Sequence, residues 1–189
     1  MPPKIKYTRE EIGNTALALV RESGFDALSA RSLASRLGTS TAPIFTAFRN
    51  IEEVRDFVLK KAQALFMEYL EKGFSFDIPF KGSAMMYIRF ALEERELFKL
   101  LFMSARKSEE VSGFFPGENP VSEKVLANIS NVYFKNDALT RKLYNHLSVY
   151  VHGIATSFAQ GSSHISLEDA DTMISEAFFA FKEKFDEHN

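Results

Sequence analysis

The strongest constraint on this chain is the spacing of its apolar residues, which recur every three or four positions in one segment after another. The two-residue alternation of a half-buried strand is sustained nowhere. In the segment 8–23, Ile12, Ala16, Leu19 and Val20 fall on one helical face. Over 51–72 the stripe is Val54, Phe57, Val58, Leu65, Phe66 and Tyr69. Over 138–160, Leu139, Leu143, Leu147, Tyr150, Val151, Ile154 and Phe158 share about a third of the wheel at ~100° per residue. Gly24, Gly38 and Gly73 stop helices, Thr8, Ser29 and Asn50 can cap them, and the Gly- and Pro-containing run 112–120 reads as a loop. These signals predict an all-α protein with helices near 8–23, 30–37, 41–47, 51–72, 80–94, 95–104, 121–134, 138–160 and 167–187.

Composition narrows the function classes. The 189 residues contain no Cys, so no disulfide frame or thiolate metal site is possible. No apolar run approaches the length of a membrane span, and residues 1–11 lack an apolar signal core, so the expectation is a cytoplasmic protein with no membrane partner. The net charge of −2 is unevenly spread: residues 1–61 carry a net +3 and the rest a net −5. A basic head on an acidic body suits a modest nucleic-acid module joined to a different one. The organisation expected is a small N-terminal domain over 1–50 and a larger helical domain over 51–189.

Within the head, two short segments, 30–37 and 41–47, flank Gly38-Thr39-Ser40. They fit a helix-turn-helix, and equally a plain three-helix bundle. The run Leu28-Ser29-Ala30-Arg31-Ser32-Leu33-Ala34-Ser35-Arg36-Leu37-Gly38-Thr39-Ser40-Thr41-Ala42-Pro43-Ile44-Phe45-Thr46-Ala47-Phe48, preceded by a long helix ending in Gly24-Phe25, resembles the DNA-binding signature of the TetR family of transcriptional regulators. The resemblance covers about residues 8–59 without gaps. It implies that the helix 41–47 enters the major groove of double-stranded DNA while the helix before it crosses the backbone. Ser40 would cap the recognition helix. Thr41, Ala42 and Thr46 would meet base edges, with Pro43 in the first turn and Phe45 beside them. Arg31, Arg49 and the Lys4/Lys6 arm are the candidate phosphate partners, or else solvated surface charges. Two positions depart from the family pattern: a Tyr near the end of the recognition helix is here Phe45, and a Lys at the start of the next helix is here Ile51. Each loses a backbone contact.

The resemblance also implies a homodimer formed through the last two helices. On the helix 138–160 a second, narrow arc carries Ser148, His152, Ala155 and Ala159, small enough for close approach by another helix. With Phe179, which points away from the stripe Ala170, Met173, Ile174, Ala177, Phe181 and Phe185, this arc is the expected dimer interface. A small-molecule effector of unspecified identity, large, apolar and adaptable, is expected among Met85, Met86, Phe90, Phe98, Phe102, Met103 and Tyr150, which otherwise serve as core. Yet weaker likenesses to family C-terminal domains lie in Tyr150-Val151-His152-Gly153 and in 96–102. No phosphate loop, nucleophile elbow or zinc-hydrolase motif is present, and the four His make no helical ligand pair, so no enzyme, metal or cofactor is expected. The leading reading is a ligand-released DNA-binding repressor. The alternatives are a helical-bundle adaptor of the same fold without DNA binding and an enzyme on a helical bundle.

Overall fold

The computed structural model describes residues 7–104, 120–133 and 136–186. Those residues are all-helical, with no strand among them. Lys4, Lys6 and most of the loop expected over 112–120 lie outside the described residues. In chain order the helices are α1 (Arg9–Ser23), α2 (Ala30–Leu37), α3 (Ala42–Ala47), α4 (Ile51–Lys72), α5 (Pro79–Glu93), α6 (Arg95–Phe102), α7 (Pro120–Val132), α8 (Asp137–Gln160) and α9 (Leu167–Asp186).

Contacts divide the chain into two units, one comprising the residues up to Leu65 together with Glu96–Ser104, the other Phe66–Arg95 with the rest. The chain passes between them within α4 and at the start of α6, whereas the sequence suggests a functional boundary at residue 50.

In the first unit each short helix is held by its ends. Thr8 caps α1, its hydroxyl accepting from Glu11 N–H while the Glu11 carboxylate accepts from Thr8 N–H at 2.7 Å. That hydrogen bonding holds the Glu11 carboxyl below its usual pKa. Ser29 and Ser32 form the same reciprocal arrangement at the start of α2, and Ser32 Oγ also donates to Ala27 O. Gly38 ends α2 in the left-handed region at φ 65°, where its amide closes on the Ala34 and Ser35 carbonyls. Asn50 Oδ1 accepts from Glu53 N–H at 2.9 Å and caps α4.

The core of this unit is Ile12, Ala16, Val20, Leu28, Leu33, Ile44, Phe48, Val54 and Val58, joined by Leu97 and Phe98 of α6. Helices α1 and α4 approach closely at Gly13, where a Cβ would lie 2.2 Å from the Phe57 ring. Arg9 stacks over Phe48 at 4.1 Å and donates to Ala47 O and to the Glu53 carboxylate, tying the start of α1 to the end of α3 and to α4.

The second unit is built on α5, which packs against α7, α8 and α9. Its backbone meets the turn after α4 with almost no side chain between: a Cβ on Gly82 would lie 2.2 Å from Gly73 O. Both arcs of α8 are buried. Leu143, Leu147, Val151, Ile154 and Phe158 pack on one side as expected, with Leu139 and Tyr150 half-buried. In α9 the periodicity is carried through Phe178, absent from the expected stripe. It is 1% exposed and stacks on Phe80 at 4.5 Å.

Candidate nucleic-acid interface and apolar cavity

Helices α2 and α3 and the left-handed turn at Gly38 form the two-helix unit that the sequence suggests. The third helix begins one residue later than expected. Thr41 stands at its N-cap with no side-chain capping bond, and Ser40, expected there, accepts from Ala42 N–H at a long 3.4 Å. Ile44 points into the core, whereas Ser40, Thr41, Ala42, Phe45, Thr46 and Arg49 are exposed and Pro43 is half-buried. The outward side of α3 is thus uncharged until Arg49 follows it.

Thr46 Oγ1 donates to Ala42 O at 2.9 Å, so its proton is committed to the backbone, and its methyl group and a lone pair remain for a partner. A methyl with an acceptor suits a thymine methyl or a base amino group. Phe45, 46% exposed, offers a large apolar surface beside it.

Side-chain pairing decides which cations are available to phosphate. Arg9 and Arg55 are engaged inside the unit, Arg55 with Glu52 at 2.7 Å and Leu28 O at 3.0 Å. Lys61 pairs with Glu10 at 2.6 Å. Arg36 holds Glu22 through both guanidinium nitrogens, which lowers the Glu22 pKa and raises that of Arg36. Arg49 N–H donates to Glu53 at 2.6 Å, and this bond, followed by that from Arg9, lowers the Glu53 pKa. The Arg49 guanidinium sits 3.5 Å from the same carboxylate, yet its side chain is 88% exposed. Arg31, exposed in the first turn of α2, has no ion pair among the described residues. Among the described residues of the head, the net charge therefore overstates the free cations, which reduce to Arg31, Lys60 and the partly engaged Arg49.

In the second unit a cavity of about 70 Å³ opens between helices. Leu70 of α4 and Phe80, Ser83, Ala84 and Tyr87 of α5 form one wall. Val121, Ser122, Val125 and Ile129 of α7 form another, and Tyr144, Leu147, Ser148 and Val151 of α8 with Ile174 of α9 close it.

None of the residues expected to line a pocket is among the described residues that line this cavity. Met86 and Phe90 are buried core in α5, Met85 and Tyr150 are half-buried, and Phe98, Phe102 and Met103 belong to the first unit. Short side chains, Ser83, Ala84, Val121, Ser122, Val125, Ser148 and Val151, make up half of the cavity's described lining. The small-residue arc of α8 also needs correction as a dimer face. Ser148, Ala155 and Ala159 are 8%, 0% and 1% exposed within the single chain. His152 on the same arc bonds through Nδ1 to Tyr87 Oη of α5 at 2.8 Å. The arc is small because α5 lies against it. Phe179, the fifth expected interface residue, is 63% exposed.

Of the other histidines, His146 lies against the Phe181 and Phe185 rings, each 5.3 Å away. Among the described residues no helix is long and apolar enough to cross a membrane. In comparisons with known proteins, no family model matches the chain and no curated sequence matches it significantly.

Proposed function

We propose that this protein is a DNA-binding transcriptional regulator of the TetR type, most simply a repressor, acting as a homodimer and released from a palindromic operator by a small effector. The observation that carries the reading is the exposed, uncharged outward side of α3, preceded by the left-handed turn at Gly38 and flanked in sequence by Arg31 and Arg49. Small and methyl-bearing residues read groove edges while flanking cations set register on phosphates. The reading implies a cytoplasmic protein with double-stranded DNA as partner, and it needs no catalytic group or cofactor.

Dimerisation rests on α8 and α9, through a face different from the small-residue arc. The outward line of α8 is Asn145, Val149 and Gly153, with Val149 61% exposed. Gly153 sits mid-helix in open space, where glycine weakens an isolated helix by about 1 kcal/mol. A second helix approaching there gives that glycine a purpose, and the exposed Phe179 of α9 supplies apolar area.

Effector release follows if the ligand prefers a state whose two heads miss the half-site spacing. A hundredfold loss of occupancy requires a preference of about 2.7 kcal/mol. Helix α4, with no Gly or Pro from Ile51 to Lys72, is a continuous chain segment shared by both units through which such a preference would act.

One set of observations favours the adaptor reading, a protein of the same fold without DNA binding. Phe45 lacks a hydroxyl, Ile51 lacks a charge, and four head cations are consumed in internal pairs. Titrating labelled mixed-sequence duplex at low salt separates the two. The regulator binds at micromolar protein, tightens steeply as salt falls and sediments as two chains per duplex. An adaptor shows no duplex binding at any salt.

A further inference from the structure

Helix α3 is fixed on one side and bare on the other. Ile44 within it and Phe48 just after it are anchored in the core at 0% and 1% exposure, which settles the face that points outward. On that face Ala42 and Thr46 are both exposed and stand four positions apart, one turn along the helix. Phe45, 46% exposed, borders them with an apolar ring.

One hydrogen bond decides how Thr46 meets a partner. Its Oγ1 donates to Ala42 O at 2.9 Å, and turning that proton outward gives up the bond. The hydroxyl is therefore a poor donor to the O6 and N7 acceptors that mark guanine. What Thr46 presents is a methyl group and a lone pair, and Ala42 presents a methyl alone. The methyl is what the two positions share. In the major groove thymine is the one base of the four that carries a methyl, on C5.

We propose that α3 selects its half-site through thymine C5-methyl groups, with Thr46 as a specificity-determining residue whose methyl, not its hydroxyl, does the reading. This rests on the DNA-binding reading above and names the feature of DNA that the same face recognises. A methyl group taken out of water contributes about fourfold in affinity, and the two-fold axis repeats the contact, so the pair is worth about fifteenfold. The same rule extends to a modified base. The C5-methyl of 5-methylcytosine occupies the corresponding ring position, so methylated cytosine there should be bound more tightly than unmodified cytosine.

The full-length protein first selects sequences from random duplex DNA at low salt. The enriched duplex is then resynthesised with uracil for thymine, one position at a time in both half-sites together, and titrated by fluorescence anisotropy. At one thymine position at least, uracil should weaken binding about fifteenfold, and a 5-methylcytosine·guanine pair there should bind about fifteenfold tighter than cytosine·guanine. Thr46→Ser keeps the hydroxyl and removes the methyl; it should lose the same factor on the thymine duplex and cease to distinguish uracil from thymine at that position. Thr46→Val removes the hydroxyl and keeps the methyl, and should discriminate as the wild type does. Thr46 is exposed, so neither replacement disturbs the core, and the base substitutions test the methyl rule in the wild type without any variant.

An enriched palindrome in which uracil is tolerated at every thymine, or in which 5-methylcytosine gains nothing over cytosine, overturns the proposal and leaves the regulator reading standing. A uracil penalty that persists undiminished in Thr46→Ser, or a loss of discrimination in Thr46→Val, overturns the assignment to the Thr46 methyl. A pool from which no sequence is enriched overturns the regulator reading and this proposal with it.

Discussion

Arg31→Ala is the perturbation whose size follows most directly from the sorting of head cations. Each phosphate neutralised by a protein cation contributes about 0.9 to the slope of log K against log salt, and a dimer presents Arg31 twice. The variant should therefore show a slope shallower by about 1.8. Between about 50 and 200 mM salt, a fourfold change, the wild type should lose about twelvefold more affinity than the variant. Arg36→Ala is the control, because its guanidinium is held by Glu22 on the surface of the same unit and is not available to phosphate. Fluorescence anisotropy of a labelled duplex across a potassium chloride series reads both slopes. If Arg31→Ala and Arg36→Ala lower the slope equally, internal pairing does not decide which cations meet DNA, and the assignment of Arg31 fails.

Phe45→Tyr should tighten binding to all duplexes several-fold without altering sequence preference, since a phenol hydroxyl at that position would add a phosphate contact; competition among unrelated duplexes checks it. Gly82→Ala places a Cβ 2.2 Å from Gly73 O, an atom of rigid backbone, and should destabilise the second unit by about 3 kcal/mol or more in urea melts. Val149→Glu should yield folded monomer in sedimentation. Ala155→Glu, a charge forced into a site with 0% exposure, should unfold the second unit instead. A folded monomer from Ala155→Glu would restore the small-residue arc as the dimer face.

The helices and their ends were legible because their causes are local. Thr8 with Glu11, Ser29 before α2, Gly38 after it and Asn50 before α4 act within four residues of the ends they fix. What a helical wheel does not hold is which neighbour each face meets. The wheel groups Ser148, His152, Ala155 and Ala159 correctly, but small size fits a second chain and α5 equally well, and the Tyr87–His152 bond that decides between them spans 65 positions. The cavity lies away from the expected pocket residues for a related reason. Conspicuous Phe and Met side chains complete the packing, and a void forms where facing helices carry short ones. The readable signal was the hydroxyl series Ser83, Tyr87, Tyr144 and Ser148, at i, i+4 spacing on α5 and again on α8. Charge pairing was hidden likewise, since Arg36–Glu22 and Lys61–Glu10 join residues 14 and 51 positions apart.

The central claim, that a symmetric dimer reads DNA through α3, is tested most directly by selecting bound sequences from random duplex DNA with the full-length protein. The account predicts enrichment of an inverted repeat whose half-sites are about one helical turn apart, with base preferences that change in Thr46→Ala and persist in Arg31→Ala. A pool that remains random after repeated rounds at low salt, or an enriched motif without two-fold symmetry, would contradict it.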